Sequence, residues 1–523
     1  MRPPRATALP EGLRVALDPR TRLWAEGALA TGGSPWKLVR IAPAARPFLA
    51  ELRAAGERGA VPPTGVARAV GRHLLDHGLA HPIPSPRGSL TGRQDIAELV
   101  TVVIPAYVRA DTLHRCLAAL TAPGDGMRII VVDDGSPHPA PIAAAAGAHG
   151  AELLRLPVNQ GPAAARNAGL RAVRTPFVAL VDSDCEPEKG WLDVLLPHFD
   201  DPRLAVVAPR VLPRIPDGGR GMRLLARHEA ARSALDMGER QALVRPGATL
   251  GFLPSATLLL RTAAVRPEAA DSDSPELATA FAEHLRLGED VDFVWRLADQ
   301  GWNVRYEPRA HVVHEPRLRP VEWARRRYEY GTSAADLAAR HPGRLTPFRP
   351  SPWNAATLAL LAARRPALAA ACFAGSAGLL CRRFPDTPDA ARLAATVVGT
   401  GVLADGAALG HVLRREWWPL GAAVLAAAGS RRMPAPLRRG AGAAATAMLA
   451  PIALEWLRHR PQVDPVRYTA LRLLEDAAYG SGVIASAVRA RSLAPLRPAF
   501  RRAPRTPART AAGASARTPA PPA

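Results

Sequence analysis

Three apolar runs between residues 99 and 184 limit most strictly what this chain can become. They are LVTVVIPAY (99–107), MRIIVVDDGS (127–136) and PFVALVDSD (176–184), and the last two end in acids. Runs this continuously apolar suit strands covered on both faces, as in parallel sheets. Helical segments lie between them, TLHRCLAAL (112–120) and GPAAARNAGLRAV (161–173), with AELLRLPV (151–158) as a further strand. The alternation predicts an α/β fold with a doubly wound sheet. Ligands of such sheets bind beyond the carboxyl ends of the strands, where both acid clusters fall. LAVVAPRV (204–211) reads as another strand, and 322–341 as a helix pair or one bent helix.

The acids suggest a chemistry. Asp182 and Asp184 of VDSD put two carboxylates at one strand tip, a place to hold a divalent cation against a diphosphate. Hard carboxylate oxygens select Mg²⁺ or Mn²⁺. Such a cation neutralises charge on a departing phosphate oxygen. Asp133 or Asp134 of VVDDGS is placed to accept hydrogen bonds from a base or ribose, and Pro105 and Tyr107, leaving the first strand, to line a nucleotide. In NQGPAAARNAGL, small residues allow close packing of helix on sheet, while Arg166 and Asn167 are expected to face the donor. LGEDVDFVWRLADQGWNV carries an apolar helical stripe preceded by Glu289 and Asp290. Asp290, with Glu289 as neighbour, is the expected base for a proton leaving an acceptor hydroxyl. HVVHEPR reads as a short strand with His311 and His314 on opposite faces, His314 being the expected metal or diphosphate ligand.

The flanks differ from this core. Residues 9–84 read as a small α+β unit, with strands at 12–18 and 22–27 around the turn DPRT and helices at 42–56 and 66–82. A polar, turn-rich linker spans 85–98, and the mixed α/β domain 99–345. Residues 351–490 are Ala-rich and apolar, but no uncharged stretch there reaches the length of about 18 residues that argues for a spanning helix. A soluble or interfacial bundle and a set of short membrane helices both remain open. Residues 494–523 have the composition of a disordered tail. The formal charge of +22 arises from arginine, with only Lys37 and Lys189 as lysines. No zinc-finger spacing or aromatic–basic RNA motif accompanies it, so no specific nucleic-acid partner is expected. Four cysteines without a CxxC pair suit reduced thiols, and the N-terminus lacks an apolar leader. The expected location is cytoplasmic, at the inner face of the cell membrane if the apolar region makes membrane contact.

The IPAY opening, VVDDGS, NQGPAAARNAG, VDSD and the GED segment, in this order, resemble the GT-A inverting glycosyltransferases of family 2 over 99–330. The resemblance implies a mixed GT-A sheet, a nucleotide-sugar donor, a divalent metal at Asp184, a nucleoside contact at Asp133 or Asp134, Asp290 as base, and inversion at the anomeric carbon. No Gln-x-x-Arg-Trp follows Asp290; the nearest segment is EWARRRYEYG, which argues against processive synthesis. The strand pair, GGSP, RIAPAARPFL and HLLDHGLAHP resemble the winged-helix-like PqqD-type domains that bind precursor peptides. Combined with the apolar C-terminal region, this resembles the glycosyltransferases of the mycofactocin system. It implies transfer of a hexose, glucose from UDP-glucose, to a peptide-derived redox cofactor or its precursor. An envelope transferase acting on lipid or polysaccharide, and a non-catalytic peptide-binding scaffold, are the competing readings.

Overall fold

The computed structural model describes residues 3–4, 8–85, 95–215, 223–265, 280–384 and 387–501. Most of the expected linker and the final 22 residues of the expected tail lie outside them. Residues 499–501 hydrogen-bond back to 348–350, so that stretch of the expected tail is held against the chain.

The N-terminal unit contains β1 (Arg14–Leu17), β2 (Arg22–Trp24), β3 (Leu29–Gly32), β4 (Lys37–Arg40), α1 (Arg46–Ala55), α2 (Gly65–Asp76) and β5 (Ala80–Ile83). β1 and β2 flank the expected turn but do not pair with each other. β1 pairs with β5, and β2–β3–β4 form a separate meander. The helix expected over 66–82 ends at Asp76, because Gly78 takes a φ of +65° and releases the chain into β5. Leu49, Leu52, Leu74 and Leu75 form the core of this unit.

The next unit contains α3 (Ile96–Leu99), β6 (Val100–Ala106), α4 (Ala110–Thr121), β7 (Arg128–Asp133), α5 (Ala140–Ala148), β8 (Glu152–Arg155), α6 (Pro162–Ala172), β9 (Phe177–Val181), β10 (Cys185–Pro187), α7 (Trp191–Leu195) and β11 (Leu204–Pro213). It continues with α8 (Leu224–Ala231), β12 (Ala242–Leu243), β13 (Thr257–Arg261), α9 (Thr262–Val265), α10 (Glu289–Asp299), β14 (Asn303–His314), α11 (Pro320–Gly331) and α12 (Ala334–Arg340). The sheet order is β10-β14-β11-β13-β9-β6-β7-β8, with β12 on β14. β8, β7, β6 and β9 are parallel, as the alternation predicts; β13 runs antiparallel between β9 and β11 and makes the sheet mixed. Alternate strand residues serve opposite layers. Val102, Ile104 and Val131 meet α4, while Val103, Ile130 and Val132 meet α6. Gly169 of α6 sits so close to β6 that a Cβ there would lie 2.3 Å from Val103 Cγ1. This is the tight helix–sheet contact for which the small residues of NQGPAAARNAG are suited. Residues 322–341 form two helices, α11 and α12.

Six helices follow among the described residues: α13 (Pro352–Ala362), α14 (Pro366–Cys381), α15 (Ala390–Arg414), α16 (Trp418–Gly429), α17 (Ala435–His459) and α18 (Pro465–Arg489). α18 crosses α11 at Gly331 and Gly482; a Cβ on either would come within 2.1 Å of a carbonyl oxygen of the other helix. Buried charges join the same elements: Arg327 of α11 contacts Glu229 of α8 and Glu475 of α18, and Arg414 of α15 contacts Asp476 at 2.6 Å. α15 and α17 are long and apolar enough to cross a membrane by length and composition.

The N-terminal unit is held to the sheet by Arg72, whose guanidinium meets both oxygens of Asp201 at 2.8 Å, and by Asp76, which accepts from Arg203 and Asn303.

Candidate active site

The carboxyl ends of β6, β7 and β9 lie side by side, so register places their acids. Ala106 pairs with Asp133, and Val103 with Leu180. Asp182 follows β9 directly, its N–H donating to the Ala256 carbonyl at 2.8 Å. The chain then turns and re-enters the sheet as β10, whose Cys185 stands opposite His314. That pairing brings His314 Nε2 to 3.6 Å from Asp184 Oδ2. Burial pushes the Asp184 carboxyl up, but His314 and Arg109 more than offset this and hold it below the ordinary carboxylate range. The expected short strand at 311–314 is the end of the twelve-residue β14; His311 faces Glu188, away from Asp184.

Arg109, unremarked in the sequence, donates to Asp184 at 3.1 Å and lies 3.9 Å from Glu315. Arg115 meets Glu186 and Glu315, extending this ion-pair cluster. Beneath the acids lie Cys116 and Cys185, both free, with burial pushing both thiols well up.

Asp133 and Asp134 separate into two roles. Asp134 accepts the backbone N–H groups of Gln160 and Gly161 at 2.8 Å and fixes the loop before α6. Asp133 accepts from Ser136 N–H through Oδ1, while its buried Oδ2 makes no hydrogen bond and has Arg155 Nη1 3.9 Å away. Gly135 makes the turn possible: its φ is +66°, and a Cβ would strike Val158 at 2.3 Å. Tyr107 is exposed beside this turn, Pro105 is half-buried in β6, and Val108 N–H donates to Ser136.

Arg166 is buried and joins two groups, donating to Asp182 at 2.6 Å and to Glu289 at 3.0 Å. Three expectations change here. Asn167 does not face the open site; its amide is saturated by the backbone of Phe281 and by Glu283. Glu289 is buried, with Arg166 and Ser255 both on Oε1, so it supports its neighbours more directly than it faces the open site. Asp182 has one oxygen committed to Arg166, which weakens it as a metal ligand. Asp290, next in the chain, lines a cavity of about 1240 Å³. Burial first, and then the charge of Glu289, pushes its carboxyl up to about 7. The cavity is also lined by Trp295, Tyr330, Arg415, Glu475 and Arg20, so all three parts of the chain contribute to it.

Among the described residues, no three or more His, Cys, Asp or Glu side chains are grouped to hold a metal ion. Asp184 and His314 offer an oxygen and an imidazole nitrogen 3.6 Å apart. Such a pair fits a cation that completes its shell with substrate phosphates, as Mg²⁺ commonly does.

Residues 101–265 match the Glycosyl transferase family 2 domain. The pre-mycofactocin glycosyltransferases of two Mycobacterium tuberculosis strains, CDC 1551 and H37Rv, are 38% identical over 95% of this chain and 99% of theirs. The succinoglycan biosynthesis protein ExoO of Rhizobium meliloti is 29% identical over 42% of this chain and 61% of its own. Among solved structures, the Pyrobaculum calidifontis mannosyltransferase PcManGT, in complex with GDP-Man and Mn²⁺, is 18% identical with a TM-score of 0.41 and covers 78% of this chain and 89% of its own. The chain is thus a glycosyltransferase that belongs to family 2 and, across nearly its whole length, to the group that includes the pre-mycofactocin enzymes.

Proposed function

We propose that this enzyme moves a hexose, glucose from UDP-glucose, onto a hydroxyl of a peptide-derived redox cofactor or its precursor in mycofactocin biosynthesis, with inversion at the anomeric carbon. The acceptor is supported by the pre-mycofactocin relatives, which match over 95% of this chain. The observation that carries the chemistry is the convergence at one end of the sheet of Asp184 with His314, the Asp133 oxygen that makes no hydrogen bond, and Asp290 on the far side of the Arg166 bridge.

Asp133 Oδ2 is a buried acceptor with no hydrogen bond of its own and only Arg155 near it at 3.9 Å, which suits an N–H donor such as a nucleoside base. Asp184 and His314 would hold the divalent cation, Mg²⁺ or Mn²⁺, which when bound would stabilise negative charge on the diphosphate. Arg109 lies beside them as a second positive group for the diphosphate. Asp290 accepts the proton of the acceptor hydroxyl as that oxygen bonds to the anomeric carbon. The bond from this carbon to the diphosphate oxygen breaks on the opposite face. A base near 7 is matched to work at neutral pH. Arg166 and Glu289 fix the first turn of α10, and so the position of Asp290. The N-terminal unit brings Arg20 to the cavity wall and recognises or delivers the acceptor. The free cysteines suit the cytoplasmic side, where nucleotide sugars are made.

The test is turnover by the purified full chain, with UDP-glucose and competing nucleotide sugars, on the peptide-derived acceptor. Mass spectrometry should detect hexose addition and NMR an inverted linkage. Chelation should abolish turnover and Mn²⁺ or Mg²⁺ restore it. Loss of one hydrogen-bonded transition-state contact typically costs about 10²–10³ in rate, so Asp184→Asn and Asp290→Asn should each fall by at least that factor. Metal-dependent transfer that survives both changes excludes this assignment.

A further inference from the structure

We infer that α13, α14, α16 and α17 form a surface that lies in the plane of an anionic bilayer without crossing it. The inference is independent of the transfer chemistry. α14 buries Ala369 alone, α16 Gly421 alone, and α17 only Met448 and Ile452. Leu368, Leu379, Leu420, Leu437, Leu454 and Leu457 are 50–63% exposed. Apolar surface of this extent marks contact with something other than water.

Charge identifies the occupant. Residues 417–454 hold four arginines, Arg431, Arg432, Arg438 and Arg439, and no acidic residue. All four are exposed, Arg431 and Arg432 at the turn between α16 and α17 and Arg438 and Arg439 near the start of α17. Arg364–Arg365 and Arg382–Arg383 bracket α14 in the same exposed way. A second copy packed on this face through a twofold axis would set arginine pairs near one another with no acid from 417–454 to pair them. Phospholipid headgroups supply the opposite charge, and juxtamembrane arginines favour anionic leaflets. The arginines that flank these helices can reach headgroup phosphates while the exposed leucines between them meet the acyl boundary.

Spanning is excluded by how the helices are tethered. α15 has 25 residues and is about 37 Å long. Its first turns pack on the N-terminal unit through Leu393 and Leu29, beside the bond from Arg40 to the Arg383 carbonyl. Its last turn is fixed to α18 by Arg414 and Asp476, and α18 lies on α11 of the transferase domain. The two domains grip each other through Arg72 and Asp201. A hydrocarbon core of about 30 Å cannot pass between domains already in contact. α17 runs against α15, with Gly410 on the Ala447 carbonyl, and shares its constraint. α14 and α16, with 16 and 12 residues, fall short of the roughly 20 needed to span. α17 then leads from this surface to the cavity beside Asp290, which its end lines with Glu455 and Arg458.

The test is co-sedimentation of the full chain with vesicles of phosphatidylcholine containing one-third phosphatidylglycerol, and with phosphatidylcholine alone. Binding should require the anionic lipid, weaken with salt, and be reversed by alkaline carbonate. Replacing Arg431, Arg432, Arg438 and Arg439 with Gln should lower partitioning by about fivefold per arginine. Leu437→Glu with Leu454→Glu should abolish binding while circular dichroism and turnover on a soluble acceptor stay at parent levels. Asp184→Asn should bind as the parent does, which separates this surface from the active site. A chain that remains in the supernatant with anionic vesicles overturns the proposal, as does retention through carbonate extraction or burial of this face in a dimer seen by sedimentation.

Discussion

Replacing Arg166 with Met should damage this enzyme through two carboxylates left behind, a cost that can be apportioned from their surroundings. Arg166 is 2% exposed and holds Asp182 and Glu289 at 2.6 and 3.0 Å. The Glu289 side chain is 9% exposed and has Ser255 Oγ, at 3.4 Å, as a remaining partner. Breaking a buried pair by removing one member costs about 3–5 kcal/mol, because the other charge is stranded. Asp182, with 31% of its side chain exposed, regains water and adds little. Met retains contact with Phe281, over which the guanidinium lies, so packing changes least. The expected loss is about 3–4 kcal/mol, and for a domain of 150–250 residues each kcal/mol lowers Tm by about 2–4 °C. Scanning calorimetry of the full chain should show the transferase transition falling by about 6–16 °C. Arg166→Met with Glu289→Gln removes the stranded charge and should regain most of that loss, while activity stays low because Asp290 has lost its support. A single variant melting within about 2 °C of the parent, or a double variant no more stable than the single, would refute the reasoning.

Two further outcomes follow from the same geometry. The folded Asp290 carboxyl keeps its proton up to about 7, whereas the unfolded group releases it near 3.8. Its contribution therefore favours folding in acid and is lost as pH rises through 7. Transfer by the parent should fall about tenfold per pH unit below 7, and Asp290→Asn should be stable relative to the parent above 7, as read by denaturant melts across pH. Gly169→Ala places a methyl against Val103 and should destabilise by about 1–3 kcal/mol, a loss that Val103→Ala in the same chain should partly reverse in urea unfolding.

The parts of the site carried by continuous strands were legible, because an apolar run that ends in an acid indicates both a buried strand and what stands at its tip. Asp133, Asp184 and Asp290 are of this kind or open a helix. Arg109, Arg115 and Glu315 were not legible, since single charged residues from distant segments meet only after β10 pairs with β14. Asn167 and Glu289 sit inside motifs but point inward, and spacing alone does not distinguish a side chain that faces a ligand from one that supports its neighbour. Gly78 and Pro82 were legible as stops of the helix read over 66–82, but the strand β5 between and beyond them was not, because HLLDHGLAHP keeps apolar spacing through the turn. The C-terminal helices defeat pattern reading for another reason: sequences apolar on every side carry no stripe that says which face is covered.

The crossing of α11 and α18 at Gly331 and Gly482 bears on how this enzyme can be divided. A fragment stopped near residue 345, where the transferase motifs give out, would leave Glu229 and Arg327 without the wall built by Glu475 and the glycine seam open to water. A piece that keeps these contacts therefore runs through residue 489, the end of α18. In this enzyme the catalytic unit is longer than its signature, and gene fusions or deletions that respect the motif boundary would cut through a load shared by helices from both sides.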